Sequence, residues 1–100
     1  MEKLQDLIKY SNPHRVQQKA KEYFGSNIPI YISSKKDKKY MVEDPNTNKL
    51  VHFGQMGYED HTKHQDEKRR QNYLNRSKNI RGNWKDNPYS PNNLSIHLLW

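Results

Sequence analysis

Hydrophobic residues in the N-terminal quarter of the chain recur with a helical period. In the segment SNPHRVQQKAKEYFG, Val16, Ala20 and Phe24 are spaced by four residues and therefore fall on one helix face. Pro13 suits the first position of a helix, and Gly25 suits the position after its last turn. The pattern predicts a helix that begins at Pro13 and ends before Gly25.

A shorter helical segment is predicted ahead of it from the spacing of Leu4, Leu7 and Ile8. An Asn-Pro dipeptide separates the two segments, because the residue before a proline avoids the helical conformation. Ser11 or Asn12 supplies a side chain that can cap the second helix.

The next segment changes to the alternating period of a β-strand. In NIPIYIS, Ile28, Ile30 and Ile32 alternate with other residues, which predicts a half-buried strand. Pro29 has no N–H group to donate to a neighbouring strand. We therefore expect this strand at the edge of a sheet.

Two further strands follow, with the sequences KYMVED and LVHFG. Tyr40 and Val42 fall on one face of the first strand, and Val51 and Phe53 share a face of the second. The short polar turn PNTNK between them favours an antiparallel hairpin.

A polar helix is predicted in the last third of the chain, beginning between Asp60 and Asp66. Thr62 and Gln65 match the spacing of a capping box. Asp66 and Glu67 are then expected in the first turn, where the helix dipole favours negative charge.

These segments predict one small α+β domain over residues 1–100. It comprises an N-terminal helical region (1–25), a three-stranded antiparallel sheet (26–54), and a second helical region (60–100) with a basic helix and a short C-terminal helix. The predicted core consists of Leu7, Val16, Ala20, Phe24, Ile30, Tyr40, Val42, Val51, Phe53, Leu74, Leu98 and Trp100.

Composition predicts a folded domain with a thin core. Only 18 residues are Leu, Ile, Val or Phe, but 11 are aromatic, and each aromatic side chain can bury a large area. The chain has no cysteine, which excludes disulfides, thiolate catalysis and Cys-ligated zinc. It shows no signal-peptide pattern and no apolar run of transmembrane length. We therefore expect a protein that is neither secreted nor inserted in a membrane, and no cofactor is predicted.

Basic residues are concentrated in two patches. Residues 60–85 hold eight Lys or Arg against three acidic residues, and residues 35–39 hold four Lys against one Asp. A net charge of +7 arranged in this way suits a polyanion such as DNA or RNA, because lysine and arginine neutralise phosphates. Tyrosine and tryptophan among them can stack on bases. The predicted nucleic-acid-binding residues are Lys35, Lys36, Lys38, Lys39, Lys68, Arg69, Arg70, Tyr73, Arg76, Lys78, Arg81 and Trp84.

Two other interpretations of the charge stay open. A charged run commonly forms a solvated face that keeps a thin-cored domain in solution, and a basic surface also suits an acidic protein partner. Tyr73 and Trp84, taken individually, are more typical of core residues than of stacking platforms.

A histidine- and aspartate-rich segment offers weak candidates for a metal site. His61 and His64 are three residues apart, so a helix would place them on one face, and Asp60 and Asp66 flank them. The same residue types would serve a metal-dependent nuclease. A polar segment at the start of a helix has the same composition, so the pattern does not separate these possibilities.

Three parts of the sequence resemble a family of small uncharacterised proteins encoded by nucleocytoplasmic large DNA viruses. They are the KKY-V strand, the block HFGQMGYEDHTKHQDEKRRQNYLNR and the ending LSIHLLW. The resemblance covers residues 35–100 well and 12–33 more loosely. His61 stands where the family more often has an aromatic residue. The resemblance implies a viral protein of the host cytoplasm or viral factory, with packaging in the virion as an option, and it implies no activity.

The leading hypothesis is a non-enzymatic, sequence-independent nucleic-acid-binding protein of a large DNA virus. One alternative is a structural virion component whose apolar C-terminal tail is buried against another viral protein. A tail of this kind, with Leu94, Leu98, Leu99 and Trp100, more often closes the domain's own core. The remaining alternative is the metal-dependent nuclease.

Overall fold

The computed structural model describes residues 2–100, which form an α+β fold of five helices and a three-stranded antiparallel sheet, as the pattern predicts. Two shorter helical segments, a 3₁₀ turn and a π-helical turn that continues the last helix, complete it. In chain order the elements are α1 (Glu2–Leu7), α2 (Pro13–Phe24), β1 (Tyr31–Ile32), β2 (Lys38–Asp44), β3 (Lys49–Gln55), α3 (His61–His64), α4 (Glu67–Lys78), the 3₁₀ turn (Trp84–Asp86), α5 (Pro91–Leu94) and the π-helical segment (Ser95–Leu99).

Helix α2 has the ends that its sequence predicts. The side chain of Asn12 accepts a hydrogen bond from the backbone N–H of Arg15 at 3.2 Å, which caps the first turn. Gly25 follows the last turn with φ of +74°, a conformation that glycine adopts without strain. Val16 and Ala20 are fully buried on the predicted face.

The predicted hairpin is confirmed. Strand β2 pairs antiparallel with β3 in a register that places Tyr40 opposite Phe53 and Val42 opposite Val51. Tyr40, Val42 and Phe53 are buried, so one face of the hairpin supplies the centre of the core. In the turn, the carboxylate of Asp44 accepts the N–H of Asn46 at 2.9 Å and holds the chain reversal.

The first predicted strand is shorter than its alternating pattern implies. Only Tyr31 and Ile32 pair with β2, at the expected edge position. The chain before them is held by a side chain of α2 instead. Gln17 donates to the carbonyl oxygen of Ile28 at 2.8 Å and accepts the N–H of Ile30 at 3.0 Å. Ile32 is 37% exposed, so the prediction that it shares a buried face is wrong.

The predicted capping box of Thr62 and Gln65 is also wrong, because two helices, α3 and α4, replace the single polar helix that was predicted. The carboxylate of Asp60 caps α3 by accepting the N–H of Thr62 at 3.0 Å. Gln65 then adopts φ of +54° and ends α3. The carboxylate of Asp66 starts α4 by accepting two backbone N–H groups at 3.0 and 3.2 Å. Thr62 is buried, and Glu67 occupies the first turn of α4 as predicted.

The core draws on both helical regions and the sheet. Eight of the twelve predicted residues are buried, whereas Phe24, Ile30, Val51 and Trp100 are only partly buried at its margin. Tyr89 and Ile96, which the pattern missed, are buried, and so are Leu94 and Leu99 of the C-terminal tail. The apolar C-terminal tail therefore closes the domain's own core, and the alternative that it is buried against another chain is not supported by its position.

We predict that Gly54→Ala destabilises the fold more than Gly57→Ala. Both glycines have positive φ, +82° and +93°, so each alanine costs about 1–2 kcal/mol of strain. A Cβ at position 54 would also lie 2.9 Å from Cδ1 of Leu99 and 3.1 Å from Cβ of Lys39, whereas position 57 has open space. Overpacking should add about 1–3 kcal/mol at position 54. Urea unfolding of both variants measures the difference, and equal losses would contradict the prediction.

Candidate nucleic-acid interface

An open groove with a volume of about 650 Å³ lies between the end of the β2–β3 hairpin, helix α4 and the C-terminal helical segment. We call it the groove throughout. Its lining combines aromatic rings, basic side chains and side-chain amides. The residues that line it are Lys38, Lys39, His52, Phe53, Gly54, Gln55, Tyr58, Glu59, Arg69, Asn72, Tyr73, Arg76, Ile80, Pro91, Asn92, Ser95, Leu99 and Trp100.

Helix α4 presents one face to the groove and another to the core. Arg69, Tyr73 and Arg76 are spaced by four and three residues, which places them on the same face. All three line the groove. Leu74 and Ser77, offset from them around the helix, are buried. The predicted helix is therefore basic on the groove side, and the spacing of its residues determines which cations reach the groove.

Three cations from both basic patches meet in the groove. Lys38 comes from the start of β2, while Arg69 and Arg76 come from α4. The side chain of Arg69 lies 3.1 Å from the carboxylate of Glu59, in a pair whose members are both substantially exposed. An exposed pair of this kind contributes little to stability and can exchange partners. The local charge of the groove is therefore positive, with one acidic group at its rim.

The aromatic part of the groove includes two residues that the sequence interpretation missed. The rings of Tyr73 and Trp100 are stacked, with centroids 4.2 Å apart and planes 8° from parallel. Tyr58 lines the groove with 70% of its surface exposed. Trp100 was predicted only as core, and Tyr58 was not selected at all. An aromatic residue directly after Gly57, in a segment without apolar periodicity, was the available signal for Tyr58.

A buried ion pair lies beneath the groove. Nζ of Lys39 lies 3.0 Å from Oδ2 of Asp60, and the two side chains are only 3% and 1% exposed. The other carboxylate oxygen of Asp60 accepts from both the N–H and the hydroxyl of Thr62. Burial lowers the pKa of Lys39, and the neighbouring carboxylate of Asp60 opposes that shift. Lys39 is thus not available to a phosphate, which corrects its prediction as a nucleic-acid contact.

Hydroxyl groups extend this pair into a polar network. The hydroxyl of Tyr40 donates to Oγ of Ser11 at 2.6 Å, and Ser11 is 3.2 Å from Oγ1 of Thr62. Thr62 Oγ1 also accepts the N–H of Asn12 at 3.0 Å. Burial raises the pKa of Tyr40 far above its usual range, so Tyr40 stays a donor. The network joins the α1–α2 junction, β2 and α3.

Other predicted contacts lie outside the groove. Arg70 donates from Nε to the carbonyl oxygen of Trp100 at 2.8 Å and from Nη1 to Glu67 at 3.0 Å, so it holds Trp100 in place. The indole of Trp84 donates to the carbonyl oxygen of Ile80 at 2.7 Å and does not line the groove. The remaining predicted cations are exposed on the surface away from the groove lining: Lys35, Lys36, Lys68, Lys78 and Arg81.

The weak metal candidates are engaged in other interactions. Asp60 is paired with Lys39, and Asp66 caps α4. Nδ1 of His64 accepts the N–H of Asp66 at 2.9 Å, and Nε2 of His61 lies 3.7 Å from Glu67. Among the residues that the structure describes, no group of three or more His, Asp or Glu side chains is placed to hold a metal ion. Residues 2–100 also contain no helix that could cross a membrane.

Fold and site together define a small α+β protein with a basic, aromatic groove over a buried ion pair. The chain belongs to DUF5754, a family of unknown function, whose model matches residues 28–77. That range contains the sheet, the Lys39–Asp60 pair and the groove face of α4. No curated protein and no solved structure matches the chain.

We predict that Lys39→Met lowers the free energy of unfolding by about 3–5 kcal/mol, because it leaves the buried carboxylate of Asp60 without its cation. Methionine keeps most of the aliphatic volume against Gly54. The matched control is Lys38→Met in the adjacent position, which should cost less than about 1 kcal/mol. The double variant K39M/D60N should recover part of the loss, because neutral groups replace the pair. Urea unfolding provides the measurement, and equal losses for the two single variants would refute the prediction.

Acidification should destabilise the protein before its carboxylates titrate. Burial is the first cause of a lowered pKa at four histidines, His52, His61, His64 and His97. Below about pH 6.5 the unfolded chain therefore binds protons that the folded chain does not bind, so stability falls as the pH decreases. We expect Tm to decrease between about pH 7.5 and about pH 5.5, a range that spans the ordinary pKa of histidine. The decrease should be smaller in the H61N/H64N variant. An unchanged decrease would argue against these two histidines.

Proposed function

We propose that the protein binds nucleic acid without sequence specificity and without catalysis. The observation that carries the proposal is the convergence of Lys38, Arg69 and Arg76, from two basic patches distant in the sequence, on one accessible groove. A solvated face would not require cations from separate segments to meet in a concave site beside aromatic rings. The net charge of +7 supports a polyanionic partner more generally.

The chemistry of the groove suits phosphate better than a carboxylate-rich protein surface. Arginine offers a planar pair of donors that binds phosphate oxygens by two parallel hydrogen bonds, and two arginines line the groove. Each phosphate that is neutralised releases condensed counterions, which favours binding at low salt. Exposed lysines outside the groove lining, among them Lys68 and Lys78, add long-range attraction without fixed contacts.

The absence of catalysis is part of the proposal. A metal-dependent nuclease needs carboxylates free to hold a divalent ion. Asp60 already compensates a buried lysine, and Asp66 already accepts two N–H groups at the start of α4. Because both carboxylates already have these partners, a binding protein is favoured over the nuclease.

The viral setting is a proposal that rests on the sequence resemblance alone. In that setting the protein would bind nucleic acid in the cytoplasm or viral factory of the host, or in the virion. The alternative of a structural virion protein drew on the apolar tail as a docking element. Leu94, Leu98 and Leu99 are buried within the chain's own core, so the tail does not favour that alternative.

Salt-dependent binding tests the proposed function. Fluorescence anisotropy should show binding of a random-sequence duplex and a random single strand at low salt, with affinity falling steeply as salt rises. The R69Q/R76Q variant should lower the slope of log affinity against log salt by about 1.4 on single strands and about 1.8 on duplex, because two phosphate contacts are lost. Absence of binding to both nucleic acids at low salt would overturn the proposal.

The matched control is the K68Q/K78Q variant. It removes the same charge from the same helix at exposed positions that do not line the groove. We expect a smaller change in slope, and an equal change would show that binding depends on net charge and not on the groove. Nucleic acid recovered after incubation with magnesium or manganese should keep its full length, and cleavage would contradict the non-enzymatic part of the proposal.

A further inference from the structure

We infer that the groove takes unpaired nucleotides, so that the protein prefers single-stranded DNA or RNA to duplex. This inference rests on the proposed function and deepens it by naming the form of nucleic acid. Phosphate contacts alone would not distinguish the two forms, because both expose a charged backbone. The distinguishing feature is the aromatic surface inside the groove, since only unpaired bases offer their faces for stacking.

The aromatic surface is held in a fixed position. Trp100 stacks on Tyr73, and its carbonyl oxygen accepts the 2.8 Å hydrogen bond from Arg70. The ring of His64 lies against Trp100 with centroids 5.2 Å apart. A wall braced in this way loses little freedom on binding, which favours a ligand that stacks. Arg70 is therefore a positioning residue for this wall.

A second ring stands at the rim of the groove. Tyr58 lines the groove and is 70% exposed, so most of the surface of this large side chain is in contact with solvent. Its position after Gly57, whose φ is +93°, allows the chain to turn the ring outward. Tyr58 and the Tyr73–Trp100 wall thus offer two stacking surfaces on one groove.

The cations are spaced to accompany a stacked base. Arg69 precedes Tyr73 by four residues and Arg76 follows it by three, on the same face of α4. At 1.5 Å of rise per residue, the two arginines are about 10 Å apart along the helix axis. A base stacked at Tyr73 would therefore have an arginine available to the phosphate on each side of it. Asn72 and Asn92, also in the lining, supply amides that can contact base edges of any type.

The size of the groove agrees with this ligand. Its volume of about 650 Å³ falls in the range of pockets that enclose small molecules, roughly 300–1,000 Å³. One or two nucleotides fit such a volume, whereas a double helix could touch only its rim. Duplex binding would then use the cations and leave the rings unused.

Competition between nucleic acids tests the inference. At matched salt, oligo-dT and oligo-rU should each bind more tightly than a duplex of equal length, by about 5- to 150-fold for each stacked base. The Tyr58→Ala and Tyr73→Leu variants should lose single-strand affinity and keep duplex affinity. Tyr31→Ala is the control, because Tyr31 is also exposed but lies on β1 outside the groove.

Fluorescence supplies a second readout. The chain has two tryptophans, so Trp84→Phe leaves Trp100 as the only tryptophan, and excitation selective for tryptophan then reports on Trp100 alone. Single strands should quench Trp100, and duplex should not. Quenching by either single strand supports the inference, and the strand that quenches more strongly is the preferred type. Quenching of equal size by duplex would overturn it.

The two proposals fail separately. Equal affinity for single strands and duplex, with no effect of Tyr58→Ala, would overturn the single-strand inference and leave nucleic-acid binding in place. Failure to bind either form at low salt would overturn both. Because Tyr58 is exposed, its variant keeps the test valid even if Tyr73→Leu does not fold.

Discussion

The architecture around the groove depends on the buried Lys39–Asp60 pair. Removing two charges from water is costly, and the pair is tolerated because Asp60 also accepts two hydrogen bonds from Thr62, while Nζ of Lys39 reaches the carbonyl oxygen of Tyr10 at 3.4 Å. The same carboxylate caps α3. The charge pair therefore fixes where the chain leaves the hairpin and begins its helical region, and so determines where α4 stands relative to the sheet.

The pair also explains how a thin core supports a unique fold. Leu7, Val16 and Val42 bury their side chains, but a layer of hydroxyl and charged groups lies beside them. A polar layer has only a few arrangements that satisfy every donor and acceptor, so it selects one packing more strictly than apolar contact does. In this protein, the apolar residues supply the driving force and the Ser11–Tyr40–Thr62 network supplies the register between elements.

Local signals in the sequence predicted the local structure, and non-local contacts account for the errors. The caps of α2 and the alternation of β2 and β3 depend on neighbours a few residues away, and they were predicted correctly. Lys39 ends a run of lysines whose other members are exposed or half-buried, and its partner is 21 residues distant. The shortened β1 depends on Gln17, and the groove depends on Trp100. Periodicity carries no information on contacts of that range.

Position, not the number of basic residues, determines what α4 offers a partner. Arg69 and Arg70 are adjacent in sequence, yet Arg69 lines the groove and Arg70 holds the carbonyl oxygen of Trp100. The family match ends at residue 77, so it includes the basic side of the groove but not Trp100. The match therefore spans the groove face of α4 together with Tyr58 and Tyr73, whereas Trp100, which stacks on Tyr73, lies outside it.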